Sequence, residues 1–204
     1  MGYTAIIDYG VGNLKSVSNA LAYLGVDSEI TGDPCRLELA DAIILPGVGA
    51  FPDAADKLRE SGLEQILLRQ AGNKPILGIC LGMQLLFQWG EEGRRCEGLG
   101  LISGGVRRIE TDLKLPHIGW NSLTFPGPSP LFRGLDEGCC VYFVHSFCGH
   151  TEDPDQEAAV TDYGGPVLAA VQDAARGVFG CQFHPEKSGE TGLAILQNFA
   201  ALNR

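Results

Sequence analysis

A cysteine stands between two glycines in the stretch Gly78-Ile-Cys80-Leu-Gly82, where an apolar run becomes a helical pattern. This spacing is typical of a nucleophile that projects from a tight bend between a strand and a helix. The helix N-terminus would favour the thiolate, and the Leu81 N–H could stabilise an oxyanion. The pattern therefore predicts that Cys80 is an exposed nucleophile, although a core cysteine between glycines would fit the same five residues.

A thiolate nucleophile needs a base, and the base needs a group that orients it. The segment VFGCQFHPE places His184 at the end of a strand, with Glu186 two residues later. His145 also ends an apolar strand, YFVH, but no carboxylate lies within three residues of it, so it ranks second as the base. The other two histidines lack a comparable setting. We therefore expect Cys80, His184 and Glu186 to act together.

A glycine-rich turn, Pro46–Gly49 (PGVG), directly follows another buried strand. The backbone N–H groups of Gly47, Val48 and Gly49 could form a second set of oxyanion donors beside that of Leu81. A simple tight turn is the alternative interpretation. The turn is not a phosphate-binding loop, because neither the dinucleotide nor the Walker spacing follows it.

The elements that must position these residues alternate between short apolar strands and helical patterns. The strands of the first half are continuously apolar, which is typical of a parallel sheet covered on both faces. The sequence predicts an α/β fold with an open, mixed, largely parallel sheet flanked by helices, in one domain over residues 1–204. The predicted strands are 4–8, 42–45, 76–79, 105–110, 117–125, 140–147, 157–163, 167–172 and 177–183. The first predicted helix begins near Leu14. The others cover 53–70, 81–89 and 190–202, and Gly62 is the expected point of a break in the helix 53–70.

Composition narrows the function classes. The net charge of −10 makes binding to nucleic acid or to an anionic membrane surface unexpected. The apolar runs are too short to span a membrane, and the first residues resemble no signal segment. Seven cysteines without a C-x-x-C pair predict reduced thiols in the cytoplasm, with no disulfide framework and no zinc site.

The motifs PGVG, GICLGMQ and FHPE, in this order, resemble those of the class I glutamine amidotransferases. The further segments YGVGN, LPHIGWN, YFVHSF and HPEKSG are similar to the branch that forms glutaminase subunits of imidazole glycerol phosphate synthases. The resemblance implies a flavodoxin-like fold and the hydrolysis of L-glutamine to glutamate and ammonia through a thioester on the cysteine, without a cofactor. It also implies a heterodimer with a (β/α)8-barrel cyclase subunit, which uses the ammonia to make imidazole glycerol phosphate and an aminoimidazole carboxamide ribonucleotide.

The resemblance also implies roles for individual residues. Cys80 matches the nucleophile, His184 the base, Glu186 the orienting acid and Pro46–Gly49 the oxyanion strand. The residues implied to bind glutamine are Gln84, His145, Ser146 and Phe147. The residues implied to lie at the cyclase interface are Asn13, Trp120, Tyr142 and Lys187.

Three alternatives remain open on the sequence. The chain could be a glutaminase of the same class that serves another ammonia acceptor. It could be a catalytically silent interaction module on this fold, although a complete triad argues against that. It could also be a cysteine peptidase or a thioesterase-like hydrolase, because a Cys-His-Glu set does not specify the acyl group.

Overall fold

The computed structural model describes residues 2–202. The strands in this range are β1 (Thr4–Ile7), β2 (Ser28–Thr31), β3 (Ala42–Gly47), β4 (Ile76–Cys80), β5 (Phe87–Gly90), β6 (Cys96–Glu97), β7 (Ile102–Arg108), β8 (His117–Ser122), β9 (Cys140–His145), β10 (Phe147–His150), β11 (Glu157–Asp162), β12 (Pro166–Asp173) and β13 (Val178–Cys181). The α-helices are α1 (Leu14–Tyr23), α2 (Pro34–Leu39), α3 (Phe51–Glu60), α4 (Leu63–Gln70), α5 (Leu81–Leu85) and α6 (Gly189–Ala201).

The main sheet has seven strands in the order β11-β12-β13-β4-β3-β1-β2. The five strands from β13 to β2 are parallel, whereas β11 and β12 join this parallel set through antiparallel pairs. Successive residues of the central strands pack into two cores on opposite faces, with Ile43 and Leu45 on one face and Ile44 on the other. This mixed, largely parallel sheet confirms the predicted fold class.

The strand register brings the chemistry to one edge of the main sheet. Gly47 is the pairing partner of Cys80 across β3 and β4, and Cys181 is the partner of Ile79 across β13 and β4. The carboxyl ends of three neighbouring parallel strands therefore lead to PGVG, to Cys80 and to the segment that contains His184. Open α/β sheets bind their ligands at this edge.

Two smaller sheets complete the fold. One has the order β10-β7-β5-β6, and the other is the antiparallel pair of β8 and β9. Between β9 and β10 the chain crosses from one small sheet to the other at Ser146, so the predicted strand 140–147 is two strands. This crossing places the end of β9 and the start of β10 beside the sheet edge described above.

The predicted helix 81–89 is wrong after Leu85, because the chain continues as β5. The run LLFQW is apolar enough for either a buried helix or a buried strand, so periodicity alone does not separate them. The Leu86 carbonyl accepts hydrogen bonds from the N–H groups of Leu101 and Ile102, which ends the helical ladder. The predicted helix 53–70 is two helices, broken at Gly62, where φ is 74°.

Candidate active site

Cys80 ends β4 and begins α5 on a strained backbone. Its φ of 55° and ψ of −110° make it the only residue other than glycine with a positive φ in the described range 2–202. The bend brings Gly78 and Gly82 so close that a Cβ at Gly78 would lie 2.6 Å from the Gly82 carbonyl oxygen. Because such strain persists only where the surroundings enforce it, this geometry marks Cys80 as a functional position.

Substitution of Gly82 by alanine is expected to destabilise the protein by about 3 kcal/mol, the upper end of the usual cost of overpacking. A Cβ at this position would lie 1.8 Å from the Leu45 carbonyl oxygen, and neither group is the end of a flexible side chain. Urea unfolding would measure the loss as a lower midpoint. Gly127→Ala is the matched control, because a Cβ there meets nothing within 4 Å. Equal midpoints for the two variants would contradict the close packing at the bend.

The sequence pattern predicted an exposed Cys80, but the structure shows a buried one. Only 7 % of the residue is accessible, because β3 and the segment after β13 flank it on both sides. The helix that follows has five residues rather than nine, so the dipole that it offers to the thiolate is that of little more than one turn. The side chain nevertheless lines a cavity and can be reached from it.

His184 and Glu186 form a buried pair beside Cys80. His184 Nδ1 lies 2.8 Å from Glu186 Oε1, and the two side chains are 2 % and 1 % exposed. The His184 backbone is also held, because its N–H donates to the Tyr142 carbonyl at 3.0 Å and its carbonyl accepts from Ser188 Oγ at 2.6 Å. The sequence places Pro185 after His184, and the resulting 3₁₀ turn Pro185–Lys187 brings Glu186 back to the imidazole.

The electrostatics favour a charged imidazole at His184. Burial opposes the charge, but hydrogen bonding and charge interactions with Cys80 and Glu186 outweigh it and raise the pKa of His184 to about 9. Nε2 is buried and has no partner with normal hydrogen-bond geometry in the described part of the chain. With Nδ1 occupied by Glu186, Nε2 is the atom available to exchange a proton with the Cys80 sulphur.

His145, the second-ranked base, has a different setting. Burial, and then the charges of His117 and His184, lower its pKa to about 4 against the opposing effect of a hydrogen bond to the Phe147 carbonyl. Its Nδ1 lies 2.8 Å from that carbonyl oxygen and its Nε2 lies 3.1 Å from His117 Nδ1. Both ring nitrogens are therefore occupied, which favours His184 over His145 as the base.

A cavity of about 390 Å³ opens at Cys80. It brings together most of the residues that the sequence analysis selected, namely Val48, Gly49, Cys80, Leu81, Gln84, His145, Ser146, Phe147, His184 and Lys187. Gly47 does not line it and instead borders a small void behind the triad, together with Asn13 and Glu186. Sequence reasoning missed three lining residues, Glu92, Pro116 and Val144.

The PGVG segment is fixed at its start and open at its end. The Tyr9 hydroxyl donates to the Pro46 carbonyl at 2.9 Å, and burial, followed by the charge of Cys80, raises the pKa of Tyr9. A Cβ at Gly47 would lie 2.8 Å from the Gly82 nitrogen, whereas Gly49 has a φ of 100° with nothing within 4 Å of a Cβ. The PGVG segment is therefore closely packed at Gly47 and open at Gly49.

An exposed apolar surface lies on the β8–β9 pair near the cavity. Trp120 and Ile118 are each 58 % exposed, and the Trp120 ring meets the Tyr142 ring edge-on with centroids 6.2 Å apart. Val48 is also largely exposed for an apolar residue. Exposed aromatic and aliphatic side chains grouped in this way are typical of a protein-binding surface.

Neither a metal-binding cluster nor a membrane-spanning helix is found in the described residues. No group of three or more His, Cys, Asp or Glu side chains between residues 2 and 202 could hold a metal ion. No helix within that same range is long and apolar enough to cross a membrane.

Known proteins resemble this chain in both sequence and fold. Residues 5–202 match the family model "Glutamine amidotransferase class-I". The chain is 50 % identical over 198 residues to "Imidazole glycerol phosphate synthase subunit HisH" of Caldanaerobacter subterraneus subsp. tengcongensis, covering 97 % of each protein. It is 47 % identical over 202 residues to the protein of the same name from Moorella thermoacetica, covering 98 % of this chain and 95 % of that relative.

Solved structures share the fold at lower identity. PurLQS from Thermotoga maritima superposes with a TM-score of 0.80 at 22 % identity, over 100 % of this chain and 99 % of that one. A crystal structure of a glutamine amidotransferase gives a TM-score of 0.77 at 19 % identity, over 99 % of each chain. With a family model that matches nearly the whole described range, the strained cysteine and the buried His–Glu pair have a common explanation: this chain belongs to the class I glutamine amidotransferases.

Proposed function

We propose that this chain is the glutaminase subunit of an imidazole glycerol phosphate synthase in histidine biosynthesis. The relatives that are about half identical over nearly the full chain carry that name. The structural observation that carries the proposal is the His184–Glu186 pair at 2.8 Å, buried beside a strained cysteine in a cavity. The cytoplasmic location expected from the sequence is part of the proposal, and the seven unpaired thiols agree with it.

The proposed reaction uses one cysteine and one proton carrier. The Cys80 sulphur, having given its proton to His184, attacks the carboxamide carbon of glutamine. His184 then returns that proton to the amide nitrogen, so ammonia leaves and a glutamyl thioester remains on Cys80. Neutral His184 next takes a proton from water, whose oxygen attacks the thioester carbon. Glutamate is released and the thiol is restored, with Glu186 holding the imidazole throughout.

The oxyanion formed in both steps needs donors. The Leu81 N–H, at the first position of α5, is one proposed donor, and an N–H of Gly47, Val48 or Gly49 is the other. Val48, Gly49 and Leu81 line the same cavity as Cys80. A Cβ added at Gly49 would meet nothing within 4 Å, and this open space is consistent with rotation of the preceding peptide to turn either its N–H or a carbonyl toward the cavity.

Glutamine would occupy the cavity between Cys80 and the β9–β10 crossing. Its volume of about 390 Å³ suits one amino acid. Both N–H groups of Gln84 are committed, to the Phe147 carbonyl and to Gln182, so only the Gln84 carbonyl oxygen is left for the substrate. The Glu92 carboxylate in the cavity wall is suited to the α-ammonium group of an amino acid, because the charges are opposite.

The cyclase would dock over the mouth of this cavity. Trp120 and Tyr142 form the apolar part of the proposed interface, while Asn13 and Lys187 lie beside the triad. Lys187 is exposed and also lines the cavity, so its side chain can contact both the substrate and the docked cyclase. Ammonia that escaped into water would be protonated, which gives a physical reason to release it directly into a partner that consumes it.

Glutamine hydrolysis is expected to decline as the pH rises above about 9, because His184 then loses the proton that it gives to the leaving ammonia. The measurement is kcat/KM for glutamine between pH 6 and 10. A constant value across pH 9 would contradict the proposed role of the imidazolium.

The same shift predicts a pH-dependent stability. Because the pKa of His184 rises from 6.5 to about 9 on folding, its contribution is complete below pH 6.5 and is lost as the pH rises through 9. His184→Gln should therefore flatten the stability profile between pH 6.5 and 9. His145→Gln is the matched control and should leave that slope unchanged, because the pKa of His145 is about 4.

Two experiments test the function. A glutamine analogue with an electrophile in place of the carboxamide should label Cys80, as located by mass spectrometry, which a silent module or a peptidase would not do. Co-purification with a histidine-pathway cyclase, followed by a glutaminase assay, should give a stable complex that hydrolyses glutamine. Labelling without complex formation would favour a glutaminase that serves another acceptor, and absence of labelling would contradict the enzyme itself.

A further inference from the structure

Gln182 lies beside the nucleophile in a position that the strand register dictates. Cys181 pairs with Ile79, so the next residue along, Gln182, is the neighbour of Cys80. The residue is 0 % exposed, and its Nε2 lies 3.9 Å from Cys80 Sγ, within reach of an N–H···S hydrogen bond. Its own N–H donates to the Ala169 carbonyl at 2.8 Å, which holds the backbone in place.

The direction of the Gln182 amide is fixed by a carbonyl that can only accept. Gln84 Nε2 lies 3.0 Å from the Phe147 carbonyl oxygen, so this end of the Gln84 amide must be the NH₂ group. The same NH₂ group lies 3.0 Å from Gln182 Oε1 and donates its second hydrogen there. Gln182 is therefore oriented with its oxygen toward Gln84 and its NH₂ group toward the sulphur. Reversal of either amide would bring two acceptors or two donors together.

The Phe147 carbonyl is itself held by a second chain of hydrogen bonds. His145 Nδ1 donates to it at 2.8 Å, so His145 Nε2 must accept from His117 Nδ1 at 3.1 Å. His117 Nε2 in turn faces the NH₂ group of Asn121 at 3.3 Å. Both imidazoles have pKa values lowered chiefly by burial, which keeps them neutral and preserves this order of donors and acceptors at pH 7.

We propose that Gln182 is a further catalytic residue, whose side-chain amide donates a hydrogen bond to the Cys80 sulphur and stabilises the thiolate. When the Cys80 proton moves to His184, negative charge develops on a buried sulphur that His184 approaches from only one direction. An amide donor beside it compensates part of that charge without becoming charged. During attack the charge moves from sulphur to the carbonyl oxygen, where the oxyanion donors replace Gln182.

This inference rests on Cys80 as the nucleophile of the proposed function, but its test needs neither glutamine nor a cyclase. Iodoacetamide alkylates thiolates, so the rate of Cys80 modification against pH reports how readily the thiolate forms. Quantification of the Cys80 peptide by mass spectrometry separates it from the exposed Cys35 and Cys140. A failure of glutaminase activity would leave this readout intact, so the two proposals can fail separately.

Gln182→Met keeps the length and removes the donor. We expect the midpoint of the pH profile of Cys80 alkylation to rise by about one unit, at the low end for a hydrogen bond to a charged group. Alkylation should then slow by up to about tenfold at pH values below the wild-type midpoint. Gln182→Glu should raise the midpoint at least as far, because a carboxylate oxygen would face the sulphur. Gln172→Met is the matched control: Gln172 Nε2 donates to the Pro128 carbonyl, outside the cavity, and the midpoint should not move.

Two results would overturn the proposal. One is a wild-type pH profile for Gln182→Met. The other is a uniform loss of rate at every pH with an unchanged midpoint, because that indicates altered access to the sulphur rather than a lost hydrogen bond. If Gln182→Met does not fold, Gln182→Glu decides alone, since it can still accept from Gln84. An unshifted midpoint in that variant would overturn the assignment.

Discussion

Cys80→Ala is expected to reduce glutamine hydrolysis by at least about 10⁴-fold, because no other described side chain in the cavity is placed as a thiol nucleophile. His184→Ala should be nearly as severe, since the thiol and the leaving ammonia would both lack a proton carrier. Steady-state glutamate production, measured in the complex with the cyclase, is the assay. His145→Ala is the control, and it should retain more activity than His184→Ala because its ring nitrogens are occupied by Phe147 and His117.

The fold should survive these changes at the nucleophile. Cys80 is more buried than the sequence suggested, but its side chain is small and one face of it opens to the cavity. The free energy of unfolding of Cys80→Ala should stay within about 2 kcal/mol of the wild-type value. Near wild-type turnover in His184→Ala together with loss in His145→Ala would show that the base is His145.

Turnover of the isolated subunit is expected to be on the order of 100- to 1000-fold lower than in the complex with a liganded cyclase. This is the usual effect of one oxyanion donor, and one peptide rotation near Gly49 could add or remove it. Tyr9 fixes the Pro46 carbonyl and Gly47 is wedged against Gly82, so the change is confined to Val48 and Gly49. Docking over Val48 must favour the donor orientation for the partner to act in this way.

Gly49→Ala tests where the rotation occurs. Alanine is strained at a φ of 100°, so the variant should favour one orientation of the peptide. A bias toward either orientation lowers the ratio of turnover in the complex to turnover in the free subunit. Gly127→Ala should leave the ratio unchanged. Equal turnover in the free and complexed wild-type subunit would refute the gating idea and leave PGVG as a fixed loop.

Much of the site could be read from the sequence because its chemistry is carried by short motifs at strand ends. The predicted strands 42–45, 76–79 and 177–183 each lead directly into one of the motifs PGVG, GICLGMQ and FHPE. In a parallel sheet such strand ends lie at the same edge, which is where the sequence analysis expected the site. The structure adds the register, in which Gly47 pairs with Cys80. Gly78 and Gly82 were expected at a tight bend, and their close approach gives the physical reason.

Other features depend on contacts that are distant in sequence. Strand β2 (Ser28–Thr31) and helix α2 (Pro34–Leu39) were not predicted, because SEIT is a short edge strand without an apolar repeat. Glu92 reaches the cavity from the loop after β5, and its sequence, GEEG, is that of an ordinary solvated turn. Gln182 carried a weak signal, since it stands on the same strand face as His184, but its contact with Cys80 required the register.

The strained backbone at Cys80 has a consequence for how this protein can evolve. A non-glycine residue at a φ of 55° lowers stability by about 1–3 kcal/mol, and glycine would relieve that strain. The most stable residue at this position is therefore one that cannot attack glutamine, so selection for stability alone would favour loss of the thiol. Retention of cysteine at this bend thus requires continued selection on catalysis, and a lineage released from it would reach a more stable, silent protein by a single codon change.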